Sequence, residues 1–215
     1  MEAEAQLTAA RFPVWTLVIC ASAIFIFNFP ELSAFLIYDR AAIAHGEIWR
    51  LITGNLVHLS FTHLAYNLVA FLIAGMIIEI RGYRFFATLC LSTAIFIGMI
   101  LFVVEPAMYF YAGLSGVVTA AVTYLCLHGL TEKGTWRWLC AAMLVGITAK
   151  IGMELAFGKS FLLAVGTQEF VPMPLSHLIG TVTAILLFVF VRLVAGWTCT
   201  GDISIWEKGD ITTWR

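Results

Sequence analysis

The chain has 215 residues, of which 61% are hydrophobic and 12% charged, with a formal net charge of −1. A soluble domain carries about 25% charged residues, so half that share, set between long uncharged runs, describes a polytopic membrane protein. The balanced charge excludes an overall basic footprint, and with it nucleic acid as a partner. Cys20, Cys90, Cys126, Cys140 and Cys199 form no C-x-x-C. They read as small apolar residues rather than a disulfide framework or a zinc site.

The opening Met1-Glu2-Ala3-Glu4 is acidic where a signal peptide is basic, and the apolar run continues through Ala21-Ser22-Ala23 to Phe29. A retained first span over 12–29 is expected, ended by Pro30. Residues 31–60 mix Glu31, Asp39, Arg40, His45, Glu47, Arg50 and His58 with Phe35, Leu36, Ile37, Tyr38 and Trp49. This stretch is too polar to cross and too apolar to float free, so it is expected at the interface, with Tyr38 and Trp49 at headgroup level. A second span is predicted over 61–80, anchored at its end by Glu79, Arg81 and Arg84, and a third over 85–104, closed by Glu105-Pro106. A fourth is predicted over 112–130, a fifth over 138–157 and a sixth over 175–195, with a short polar tail over 196–215. Each approaches the ~20 residues that cross a hydrocarbon core. The fold class expected is an all-α membrane protein, a six-transmembrane-helix bundle forming one membrane domain over 1–215. The fifth span and the loop 158–174, with Gly158 and Gly166, are the expected moving parts.

With the N-terminus inside, the inner side holds Arg11, Arg81, Arg84, Lys133, Arg137, Arg192, Lys208 and Arg215, against Arg40, Arg50 and Lys159 outside. The positive-inside rule therefore puts both termini in the cytoplasm. On this count His63, Ser115 and His177 each lie near the outer start of a span, at one depth.

Residues three, four and seven apart share a helix face. On the fourth span Ala112, Ser115, Gly116, Thr119, Ala120 and Thr123 form a small-residue stripe; on the sixth, His177, Gly180 and Ala184 form another. Small stripes let membrane helices approach closely. Gly113, Gly116 and Gly180 are thus expected to pack helices and to bring serine and histidine together. On the second span His63 and Asn67 share a face, and polar groups in lipid point inward. Taken singly, each signal has a bland reading: a serine between glycines is packing material, and a histidine at a helix end is interfacial. Their shared depth favours a site. His177 would act as base to Ser115, while His63, Asn67 and the backbone N–H of Ser115 would donate to an oxyanion. No aspartate lies in any span, so packing is expected to orient His177, giving a dyad. Lys150 and Glu154, four residues apart, are expected to neutralise each other. His128 reads as interfacial, and His45 and His58 as structural. H-E-x-x-H is absent, and the His58 to His63 spacing spans a helix start, so no metal is expected.

At these residues the sequence resembles the rhomboid intramembrane serine proteases over about 47–193. The resemblance rests on Glu47-Ile48-Trp49-Arg50, on His63-Leu64-Ala65-Tyr66-Asn67, on Glu79-Ile80-Arg81-Gly82, on Gly113-Leu114-Ser115-Gly116 and on His177-Leu178-Ile179-Gly180. It implies Ser115 as nucleophile, His177 as general base, and His63, Asn67 and the backbone N–H groups of Leu114 and Ser115 as oxyanion donors. It implies no cofactor, and it implies transmembrane protein substrates met in the lipid bilayer. Within the family the Tyr111-Ala112-Gly113-Leu114-Ser115-Gly116-Val117 run and the 150–154 region look most like rhombosortases. Those act on C-terminal signals made of a glycine-rich motif, an apolar helix and a basic end. That implies a bacterial inner membrane and a site opening to the periplasmic side. Thr119 stands where many rhomboids carry a tyrosine able to stack on the histidine, and Ala120 and Ala184 stand where glycine is common. Two other readings compete: a non-catalytic rhomboid-like protein that binds or escorts membrane clients, and a small transporter.

Overall fold

The computed structural model describes residues 12–157 and 173–200, with side chains described through residue 194. The loop assigned above as a moving part falls largely outside the described residues, as does the tail beyond residue 200. Helices α1 (Val14–Asn28), α5 (Phe61–Ile80), α6 (Phe86–Val104), α7 (Ser115–Leu130), α8 (Thr135–Phe157) and α9 (Pro174–Thr200) correspond to the six expected spans. Four of them, α5, α6, α8 and α9, are long and apolar enough to cross a membrane unaided. The other two are shaped by their surroundings. α1 is followed by α2 (Pro30–Leu36) after a 115° bend, and only taken together are the two long and apolar enough to count as a crossing. Pro30 opens α2, where its missing N–H costs nothing. The bend is tied by Ser33 Oγ, which donates to Ile26 O at 2.8 Å.

The other end of α1 is held by α5. Glu79 Oε1 accepts from Trp15 N at 3.1 Å, and Oε2 accepts from Thr16 N at 2.8 Å and Thr16 Oγ1 at 2.5 Å. The first N–H groups of a helix lack partners within it, and a carboxylate satisfies them while facing the positive end of the helix dipole. Glu79 therefore caps a neighbouring helix as well as ending its own. At the same end Arg81 pairs with Glu132 at 2.5 Å, and Tyr83 also donates to that carboxylate. His128, half-buried near the end of α7, packs among Tyr83, Tyr124 and Phe188, 4.2 Å from the Tyr83 ring.

Residues 31–60 do more than lie at an interface. They fold as α2, β1 (Tyr38–Asp39), α3 (Arg40–Ala44), α4 (Arg50–Thr53) and a 3-10 turn, Gly54–Leu56. Arg50 organises them: its Nη1 donates to Ala34 O at 3.0 Å and Ile37 O at 2.9 Å, while Nε meets Glu47 Oε2 at 2.6 Å. The guanidinium thus satisfies carbonyls left open where α2 ends. Tyr38, placed at headgroup level by sequence, is 0% exposed. It pairs across β1 with Tyr111 of β2 (Phe110–Tyr111), and backbone pairing carries it inward.

The core lies where α5, α6, α7 and α9 converge, on Phe71, Ile78, Leu89, Ile97, Leu101, Ala120 and Tyr124. α7 packs against α5, α6, α8 and α9, most closely on α9. Three boundaries differ from expectation by three residues or more. The fifth span was to start at residue 138, but α8 starts at Thr135. The fourth span was to start at residue 112, but Ala112, Gly113 and Leu114 are not helical, which makes Ser115 the first residue of α7. The tail was to start at Gly196, but α9 continues to Thr200.

Candidate active site

The position of Ser115 follows from the shortness of α7. Sixteen residues rise about 24 Å, less than the ~30 Å of a hydrocarbon core. The chain leading into α7 is held by backbone. β2 pairs with β1, Gly113 N donates to Gly54 O at 3.2 Å, and Tyr111 Oη donates to Gly113 O at 3.1 Å. Gly113 has φ +133°, and a Cβ there would strike the His63 ring. Both the conformation and the space require glycine at this position.

His177 lies just inside the start of α9, and the α7–α9 seam brings it to the serine. A Cβ on Gly180 would collide with Gly116 O and Ala120 N; one on Gly116 would meet Ile97 and Ser176 O. With hydrogen in those places the two backbones approach until His177 Nε2 lies 3.1 Å from Ser115 Oγ. Ser115 stays half-buried while His177 is buried.

Packing alone does not orient the histidine, contrary to the sequence expectation. His177 Nδ1 lies 2.8 Å from Glu154 Oε2, on α8. Lys150 Nζ lies 2.7 Å from Glu154 Oε1, the expected ion pair, and 3.1 Å from the same Nδ1. Glu154 is 1% exposed. Thr119 Oγ1 donates to Ser115 O at 2.8 Å.

On α5, His63 and Asn67 are both buried, one turn apart. Between them and Leu114 stands His58. Its Nδ1 faces Leu56 O at 3.1 Å, so the hydrogen sits on Nδ1 and Nε2 is an acceptor. Nε2 receives Asn67 Nδ2 at 3.1 Å and Leu114 N at 3.4 Å. Its ring lies 5.0 Å from that of His63. Burial first, and the neighbouring His63 second, lower the His58 pKa to about 4, against a smaller opposing effect of the Leu56 carbonyl. His58 is thus a neutral acceptor holding two groups, Asn67 and the Leu114 N–H, that sequence nominated as oxyanion donors.

A family model described as the rhomboid domain matches residues 45–194. The chain belongs to the rhomboid family. It is 32% identical over 115 residues to the rhomboid-family protein YdcA of Bacillus subtilis (strain 168), covering 50% of this chain and 58% of that one. It is 30% identical over 131 residues to rhomboid protease GluP of the same organism, covering 60% of this chain and 25% of that one. It is 30% identical over 129 residues to the rhomboid protease GlpG homolog of Cronobacter sakazakii (strain ATCC BAA-894), covering 60% of this chain and 46% of that one. The chain thus matches less than two thirds of the length of each of these relatives.

In this rhomboid, the contacts of Glu154 with His177 and of His58 with Leu114 were missed by the sequence reading, although each residue had left a signal. Glu154 sits three residues before the end of α8, and His177 three after the start of α9. Consecutive antiparallel spans put those positions at one depth, so the count that aligned His63, Ser115 and His177 applied equally to Glu154. His58 was weighed only as a metal ligand or a loop residue. Its place beside α5, five residues before His63, was visible; that it would accept from Leu114 was not.

Proposed function

We propose that this chain is an intramembrane serine endopeptidase that cuts membrane-anchored proteins near the face on which Ser115 opens. Ser115 is the nucleophile and His177 the general base. His63, Asn67 and the backbone N–H groups of Leu114 and Ser115 are the oxyanion donors. The observation that carries this reading is the 3.1 Å approach of Ser115 Oγ to His177 Nε2, on two helices locked backbone to backbone. Relatives named rhomboid proteases support it.

In this reading Nε2 takes the hydroxyl proton as Oγ bonds to the substrate carbonyl carbon. Negative charge moves to the carbonyl oxygen and meets the donors. The imidazolium then gives its proton to the departing amide nitrogen as the C–N bond breaks, and water later releases the acyl group by the same route reversed. For Leu114 to contribute, its N–H exchanges His58 for the substrate oxygen. The substrate helix unwinds locally, because a helical peptide carbonyl is already hydrogen-bonded.

The substrate class we favour is a C-terminal tail with a glycine-rich motif, an apolar helix and a basic end, as in rhombosortases. The 111–117 run and the 150–154 region carry that resemblance. The membrane is then a bacterial inner membrane, with cytoplasmic termini and a site opening to the periplasm. The test is labelling of detergent-purified protein with a fluorescent fluorophosphonate, beside Ser115→Ala and His177→Ala. The expected result is labelling of the wild type that both substitutions abolish. Absence of label on folded wild type, with another rhomboid labelling in the same detergent, would replace the protease with a client binder. Reconstituted wild type should then cut a protein bearing the tripartite tail faster than one bearing a plain transmembrane helix. Equal rates would reject the rhombosortase substrate class.

A further inference from the structure

Nδ1 of His177 faces two partners that cannot both be satisfied by one proton arrangement. Glu154 Oε2, at 2.8 Å, only accepts; Lys150 Nζ, at 3.1 Å, only donates. If Nδ1 carries the hydrogen, it donates to Glu154, Nε2 keeps a lone pair, and the Ser115 hydroxyl donates to that lone pair. If Nδ1 is bare, it accepts from Lys150, Nε2 carries the hydrogen, and Ser115 Oγ faces a donor. Only the first arrangement leaves a base where the serine proton must go.

We propose that Glu154 is a positioning residue that selects the productive tautomer of His177, with Lys150 as the counter-charge that keeps a carboxylate affordable inside the membrane. The inference rests on the reading of Ser115 as nucleophile and His177 as base, and replaces their dyad with a chain Ser115–His177–Glu154–Lys150. A bare Nδ1 would set a lone pair against an anionic oxygen at 2.8 Å, in a site closed to water on the Glu154 side. A protonated Nδ1 makes a charge-assisted hydrogen bond there instead. Lys150 gives up its contact with Nδ1 at 3.1 Å but keeps its ammonium on Glu154 Oε1 at 2.7 Å. Before reaction the four side chains sum to zero charge, which suits burial. When Ser115 Oγ bonds to the carbonyl carbon, its proton passes to Nε2 and the imidazolium faces Glu154. The carboxylate stays ionised and takes no proton, and the Nε2 proton leaves with the amine.

The test uses the full chain in detergent, with histidine 15N-labelled and the His177 resonances assigned against His177→Gln. The wild type is expected to show a protonated Nδ1 and a bare Nε2. A protonated Nε2 in the folded wild type at neutral pH would overturn the proposal by itself. Glu154→Gln, whose amide offers Nδ1 a donor, is expected to move the hydrogen to Nε2. It should slow fluorophosphonate labelling by about a hundredfold or more, as loss of an orienting carboxylate does in soluble triads. Glu154→Asp, which retains a carboxylate, is expected to recover part of that rate and the wild-type tautomer. Lys150→Met strips the buried carboxylate of its counter-charge, so Glu154 is expected to take a proton, donate to Nδ1, move the ring hydrogen to Nε2 and slow labelling, whereas Lys150→Arg is expected to keep the wild-type tautomer. Glu154→Gln labelling at the wild-type rate with an unchanged tautomer would overturn the proposal while leaving the protease reading intact. Labelling of Ser115→Ala equal to wild type would instead remove the protease reading. If Glu154→Gln does not fold, the wild-type spectrum and Glu154→Asp still decide.

Discussion

α7 meets α9 and α8 in opposite ways. Along the α9 seam, glycine lets backbone touch backbone, and no side chain could be added at Gly116 or Gly180 without moving a main chain. On the other flank, the buried residues of α8 are Cys140, Ile151 and Glu154, and its glycines Gly146 and Gly152 have open space around them. Cys140 and Trp136 lie against Gly129 at one end, and Glu154 reaches His177 at the other. One helix pair therefore fixes the distance between serine and histidine. A loosely packed third helix supplies the group that orients the ring. The site thus has a tightly packed half and a loosely packed half.

Breaking the seam should cost most. Gly180→Ala forces a Cβ into Gly116 O and Ala120 N, and is expected to destabilise the folded state by about 3 kcal/mol or more. Unfolding in detergent measures this, and fluorophosphonate labelling should fall with it; an unchanged midpoint would mean that the seam is not tight. Acid should act next, at His58 beside the loop that leads into α7. Between about pH 6.5 and 4 the unfolded chain binds a proton that folded His58, with its pKa at about 4, refuses. Stability is therefore full above pH 6.5 and falls as pH drops through this window, by up to about 3 kcal/mol. His58→Gln should flatten that profile, and a profile unchanged by the substitution would show that another group is responsible. Tyr111→Phe removes the hydrogen bond to Gly113 O and should cost about 1 kcal/mol in the same unfolding measurement. A smaller loss would show that β-pairing alone holds the loop.

The loose half should respond with the opposite sign. Gly146→Ala and Gly152→Ala meet no neighbour, and each should stabilise α8 by about 0.5–1 kcal/mol through helix propensity. A loss at either position would show that α8 is packed more tightly than its surroundings indicate. Crossing the two halves sharpens the contrast further. Gly180→Ala should disturb the Ser115–His177 contact itself, whereas Glu154→Gln should leave that distance and change which nitrogen carries the hydrogen.

The bilayer made much of this chain readable one helix at a time. Hydrocarbon thickness sets the length of a span, so the apolar runs over 61–80 and 85–104 could be bounded within a residue of α5 and α6. The same constraint placed His63, Ser115 and His177 at one depth, and the 3.6-residue period put Gly116 and Gly180 on the faces that meet. Those inferences needed only position along a helix and angle around it. Side-chain pairing between segments far apart in sequence has no such ruler. That Glu79 caps α1, that Arg50 closes α2, that Tyr38 pairs with Tyr111, and that His58 accepts from Asn67 and Leu114 each required the segments to be assembled. Lys150 and Glu154 show the division most plainly. Their i,i+4 spacing determined that they would pair. Only the packing of α8 beside α9 decided that His177 would complete the group, because a carboxylate has two oxygens and the lysine, on its own helix, occupies one of them.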